Sequence, residues 1–158
     1  MRFTIVEAVL LAVGAVAVLV LFVHHSRPQA RTVLRASWAL TPGVVNPNVT
    51  QATLRATVCR KGWTRTVRPP TSYTNALKLQ QMRARGLRGP PSAYQEDHLL
   101  SLELGGNPTD PRNLWPEPYP RASEVDRIEN ELNARLCSGA ITLDEAQRTE
   151  SALKHRDG

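Results

Sequence analysis

Five prolines fall between residues 108 and 120, directly behind the pair Gly105-Gly106. Each removes a backbone donor and biases the residue before it away from helix, so no helix can run through this stretch. Extended segments joined by turns remain. Tyr94–Leu104 (YQEDHLLSLEL) predicts a strand running into the Gly-Gly turn, residues 107–112 (NPTDPR) are turn chemistry, and 113–118 (NLWPEP) form a short return segment. A helix follows, with Val125, Ile128, Leu132 and Leu136 as its apolar stripe, Ser123 and Asp126 as a capping box, and Gly139 as its C-terminal stop. Thr142 and Glu145 form a second capping box that opens a polar helix to about residue 154. The region from 94 to 136 therefore reads as strand, turn, strand and helix.

Upstream the punctuation is weaker. Residues 49–63 are rich in Thr and Val and suggest a short strand or two, with a helix left open by Ala and Leu. Residues 68–74 (RPPTSYT) turn, and 75–86 form a helix stopped by Gly86. Residues 26–47, rich in Pro, Arg and small side chains, read as a linker, with Trp38 and Leu40 packing against the domain. Residues 8–23 are sixteen apolar residues without a charge. They are long for a signal-peptide core and slightly short of the ~20 that span a bilayer. The division is thus an anchor or signal segment at 1–25, the linker at 26–47, a basic part at 48–93 and the patterned core at 94–155. The fold class is α+β.

Charge separates the two halves. Residues 31–95 hold eleven Lys/Arg and no Asp or Glu, whereas 96–158 hold seven Lys/Arg against thirteen Asp/Glu. A basic half without acids suits a polyanion, either nucleic acid or an anionic membrane surface. Arg65, Arg68, Lys78, Arg83, Arg85 and Arg88 are the residues expected to track phosphates. The lone pair Cys59 and Cys137 invites a disulfide in an exported domain. Arg27, Arg31 and Arg35 behind the apolar segment argue instead for a cytoplasmic domain. The expectation is a membrane-anchored or exported protein of the cell envelope, in a bacterium or a phage-infected bacterium.

The chemistry concentrates at Glu96-Asp97-His98, with Asn113 fifteen residues after the histidine. A carboxylate and an amide oxygen are hard ligands for Mg²⁺ or Mn²⁺. A neighbouring imidazole, with an unperturbed pKa of ~6.5, suits general-base work near neutral pH. Metal-dependent phosphodiester hydrolysis needs these residue types together. Trp63 and Trp115 fit the core better than a base-stacking role.

The block EDHLLSLELGG, the turn NPTDPR and NLWPEP resemble the HNH endonuclease pattern of the His-Me-finger superfamily. With TPGVVNPNVTQAT, GWTRTVRPPTSYT and DRIENEL, residues 41–148 resemble a family of small bacterial HNH-like proteins. The resemblance implies a ββα-metal hairpin and helix and metal-dependent cleavage of DNA, or RNA, with little sequence preference. It implies Asp97 as metal ligand, His98 as general base, and Asn113 as second ligand or as the residue fixing the loop that holds His98. Mg²⁺ is the metal expected where Asp precedes the His, with Mn²⁺ or Zn²⁺ as alternatives. The chain departs from the pattern in two places. No histidine occurs between 99 and 154, so Asp126 or Glu129 on the helix is the candidate to help hold the metal, with Glu96 flanking. Ser101 stands where the pattern has proline. The missing histidine favours a rival reading, an inactive scaffold that holds nucleic acid or another polyanion at the envelope.

Overall fold

A computed structural model describes residues 34–157; the candidate anchor or signal segment lies outside them. The described residues make a small α+β domain of two antiparallel strands and four helices, β1 (Tyr94–His98), β2 (Leu114–Pro118), α1 (Trp63–Val67), α2 (Thr71–Ala84), α3 (Arg121–Cys137) and α4 (Leu143–Asp157). None of these helices is long and apolar enough to cross a membrane.

β1 and β2 pair from Tyr94↔Pro118 to His98↔Leu114. Just beyond the two ends, Leu99 N donates to Asn113 O and Tyr119 N to Ala93 O, so the ladder bonds run through the odd-numbered positions. Pro116 and Pro118 fall on the even positions, where a backbone N–H would point away from the partner and its absence costs nothing.

The predicted strand was to continue to Leu104, but it stops at His98. Beyond it the Asn113 side chain takes over the ladder. Its Oδ1 accepts from Leu100 N at 3.0 Å and Val44 N at 3.2 Å, and its Nδ2 donates to Leu100 O at 3.0 Å and Asn107 O at 2.9 Å. The Gly-Gly turn closes the same knot. A Cβ on Gly106 would stand 1.7 Å from Leu100 O and 2.8 Å from Asn113 Nδ2, so only glycine fits.

α3 begins at Arg121, two residues ahead of Ser123, and no side chain caps it. The expected Ser123–Asp126 capping box is therefore absent, and Asp126 sits a full turn inside the helix. Val125, Leu132 and Leu136 are buried as its stripe predicts. The Thr142–Glu145 box does form, with Thr142 N to Glu145 Oε2 at 2.7 Å and Glu145 N to Thr142 Oγ1 at 3.2 Å. Gly139 takes φ +81° just past α3, the conformation glycine adopts at no steric cost.

Residues 51–56 coil into a 3₁₀ helix where a strand was expected. Thr53 Oγ1 accepts from Thr50 N at 2.8 Å and donates to Asn48 O at 3.0 Å, local bonds that replace a ladder. The linker expected to reach residue 47 ends earlier. Ala36 is buried against Leu99 and Trp115, Asn46 N bonds Gly105 O, and Val45 bridges Gly106. The main core joins Val49, Leu54, Val58, Trp63 and Leu104 to Leu132 and Leu136 of α3 and to Leu143 and Ala146 of α4. Trp63 and Trp115 are core residues, 6% and 0% exposed. A disulfide joins Cys59 to Cys137 with Cα atoms 5.5 Å apart, tying the turn before α1 to the end of α3.

Candidate functional site

Strand alternation puts Asp97 and His98 on opposite faces of β1. Asp97 pairs with Trp115 and shares its face with the Gln95–Glu117 pair, which looks toward α3. There Asp97 meets Asp126 and Glu129, which come round on successive turns of α3. One ligand atom from each of the three lies within 4.8 Å of the others, a set that could hold a metal ion. A pocket of about 430 Å³ opens beside them, lined by Arg68, Gln95, Ser101, Glu103, Asp126 and Glu129 among others.

The feature that sequence reasoning missed is Lys154. It is fully buried, and its Nζ donates to Asp97 Oδ2 and Glu129 Oε1, each at 2.6 Å, and to the carbonyl oxygen of His98; Glu150 Oε1 lies 3.5 Å away. The signal was in α4 itself. Leu143, Ala146, Glu150 and Lys154 recur every three or four residues and form its buried stripe, so a Glu and a Lys occupy core positions. Burial works to lower Lys154, but the Asp97, Glu129 and Glu150 carboxylates overcome it and hold the ammonium well above its ordinary pKa. Burial likewise works to raise Asp97, yet Lys154 and a hydrogen bond from Glu117 hold it below the usual carboxylate range.

Glu117 is fully buried, and no N–H or hydroxyl donor reaches either of its oxygens. It fits as the protonated partner, its own O–H donating to Asp97. Burial, then the Asp97 charge, push it to about 9, consistent with that role. Burial raises Glu129 and Asp126 as well, and raises Glu150 well above its ordinary value. Glu150 accepts Ser101 N on both oxygens, at 2.9 and 3.0 Å. Glu103, on the pocket wall, is raised to about 7 by burial and by Glu129 and Asp126.

His98 is 5% exposed, with Nε2 3.1 Å from Pro108 O. A carbonyl only accepts, so Nε2 carries the proton and Nδ1 is the basic nitrogen. Burial lowers its pKa, outweighing the Pro108 bond and Asp97, and keeps the ring neutral near pH 7. Of the two roles open to Asn113, its four bonds leave it the loop-fixing one, since both amide atoms are saturated. Glu96 points to the other face, between Arg85 and Lys78. Burial raises it to about 8, and neither of its oxygens has a hydrogen-bond partner.

The six expected phosphate-tracking residues divide. Arg68 lines the pocket, and Arg65, Arg83 and Arg88 are exposed. Lys78 is tied to Tyr94 O at 3.0 Å and Arg85 to Thr41 Oγ1 at 2.8 Å, so both serve the fold. His155 is structural too, its Nε2 3.0 Å from Thr41 O and its ring stacked on Trp38 at 3.5 Å. No family model, curated protein or solved structure matches the chain.

Proposed function

We propose that this domain is a metal-dependent endonuclease of the HNH type, hydrolysing phosphodiester bonds of DNA, or of RNA, with little sequence preference. The observation that carries the reading is the convergence of Asp97, from the end of a hairpin strand, with Asp126 and Glu129 on the following helix, next in sequence to a neutral buried histidine. Three carboxylates are the donor set that Mg²⁺ or Mn²⁺ prefers. Lys154 takes one oxygen of Asp97 and one of Glu129, and Gln95 Nε2 donates to the other oxygen of Asp97 at 3.4 Å, so a bound ion would have to displace that amide. The chemistry a divalent ion supplies when bound is neutralisation of charge on the scissile phosphate and the leaving oxygen.

The chain's own residues do the rest. His98, on the face of β1 opposite Asp97 and with its Nε2–H directed at Pro108 O, keeps Nδ1 as its basic nitrogen, the atom assigned to take a proton from water. Arg68 sets a positive charge at the pocket for the phosphate. Asn113 and Gly106 hold the loop on which His98 ends. Supercoiled plasmid incubated with Mg²⁺, Mn²⁺ or EDTA tests the reading: relaxed product with metal and none with EDTA is expected. A folded protein that leaves the plasmid intact with either metal refutes it.

The rival reading, a polyanion-binding scaffold without activity, is favoured by Lys154. Its ammonium already neutralises the acids that a metal would need. On that reading the protein binds plasmid but no metal yields product.

A further inference from the structure

The acidic pocket has a neighbour. A second pocket, of about 310 Å³, is lined by Cys59, Arg60, Lys61, Trp63 and Asn133 among others, and shares Thr64 and Glu103 with the first. The two therefore adjoin across those side chains, with Arg68 lining the first and Arg60 and Lys61 the second. Their turn is fixed at both ends. Cys59, immediately before it, is bonded to Cys137 of α3, while Arg60 N donates to Thr57 O at 2.8 Å and Trp63 N to Arg60 O at 3.0 Å. Gly62, at φ +81°, lets the chain double back into α1.

Arg60 and Lys61 are exposed, and among the described residues neither makes an ion pair or a side-chain hydrogen bond. Arg112, Arg148 and Arg156 each have a carboxylate partner, and Lys78 and Arg85 are spent on the fold. Exposed cations without partners, on a cross-linked turn beside an acid-lined pocket, form a ready site for a second anionic group of one chain. The ring at this pocket, Trp63, is 6% exposed, so it offers no face for a base to stack on.

The geometry points to Arg60 and Lys61 as the grip on the phosphate backbone of a nucleic-acid strand whose scissile phosphate lies at Asp97, Asp126 and Glu129. This assignment rests on the nuclease reading of the acidic pocket. It places the strand along the α1 side of the domain, away from Arg83 and Arg88 of the α2 end. The grip is on phosphates, so it is sequence-tolerant.

The test needs no cleavage. The full chain in non-ionic detergent is titrated into a fluorescein-labelled 20-base single-stranded oligodeoxynucleotide in EDTA, with anisotropy read across a salt series. Arg60→Ala/Lys61→Ala is compared with Arg83→Ala/Arg88→Ala, each checked for native circular dichroism. Each lost phosphate contact flattens the slope of log K against log salt by about 0.7 on a single strand, so the first pair should flatten it by about 1.4. The expected result is that flattening with at least tenfold weaker binding in low salt, and an unchanged slope for the second pair. Equal losses from both pairs, or no change from the first, overturns the assignment. If the first pair alters binding while the wild type never cuts with metal, the grip stands and the nuclease reading fails. Metal-dependent cutting with no effect of the first pair is the converse.

Discussion

Replacing Lys154 by Met removes the one buried cation from among Asp97, Glu129 and Glu150 and keeps the volume of the side chain. Two carboxylate oxygens then lose partners at 2.6 Å, and a third loses one at 3.5 Å, in side chains that are only 10%, 10% and 1% exposed. Removing one member of a buried ion pair costs about 3–5 kcal/mol, because the charge left behind is uncompensated. That is a large part of a small domain's total of roughly 5–15 kcal/mol. Glu129 and Glu150 already have raised pKa values and will protonate further without the ammonium, so the loss should be smaller at pH 5 than at pH 8. Urea unfolding of the compact unit 33–158, followed by fluorescence of buried Trp63 and Trp115, reads both quantities. Adding Glu129→Gln to the variant should recover part of the loss, since one orphaned acid becomes neutral. A loss below about 1 kcal/mol at pH 8, or the same loss at both pH values, would refute the argument that Lys154 holds these acids together.

Other consequences can be measured on the same unit. In EDTA, Glu117 at about 9 and Glu96 at about 8 are raised above the ordinary glutamate value of 4.5. A raised acid contributes stability that is complete below its unfolded pKa and is lost as pH rises through the folded one. The urea midpoint should therefore fall between pH 5 and 9, and Glu117→Gln should flatten the decline; a midpoint that rises over this interval contradicts it. Asp97 is shifted the other way, so a second loss belongs below about pH 4. Reducing the Cys59–Cys137 bond, which spans 78 residues, should cost up to about 4.5 kcal/mol by loop entropy; a thermal midpoint unmoved by reductant would rule this out. Gly106→Ala should abolish the native fold at 37 °C, because its Cβ would overlap Leu100 O; native near-ultraviolet dichroism from that variant would show that the loop can move aside.

The parts of the fold set by local chemistry could be read from sequence. Prolines at 116 and 118 limited the return segment to a short edge strand, the Thr142–Glu145 pair marked the start of α4, and the two cysteines are joined. Asp97, Asp126 and Glu129 were named as candidates, although the Asp126 cap expected beside them does not exist. What escaped depends on contacts distant in sequence. Lys154 reaches Asp97 across 57 residues, and Asn113 captures Val44 across 69. No window of sequence holds both partners of such a pair. A Glu and a Lys inside the apolar stripe of α4 were a visible anomaly, but one that points to no particular partner until β1 and α3 are in place. Residues 34–47 read as linker for the same reason, because Gly43, Val44 and Asn46 bond the loop at 105–112 and Ala36 bonds Lys154 O of α4.

On the proposed nuclease reading, Asp97, Asp126, Glu129 and His98 act together to cut phosphodiester bonds. The most direct measurement compares the wild type with identically purified His98→Ala and Asp97→Asn proteins on supercoiled plasmid in Mn²⁺, with binding to the same plasmid measured in EDTA. Relaxed plasmid from the wild type alone, with binding by all three, is the expected result. If all three proteins fold and bind yet none cuts, or if His98→Ala cuts as fast as the wild type, these residues do not form a nuclease site.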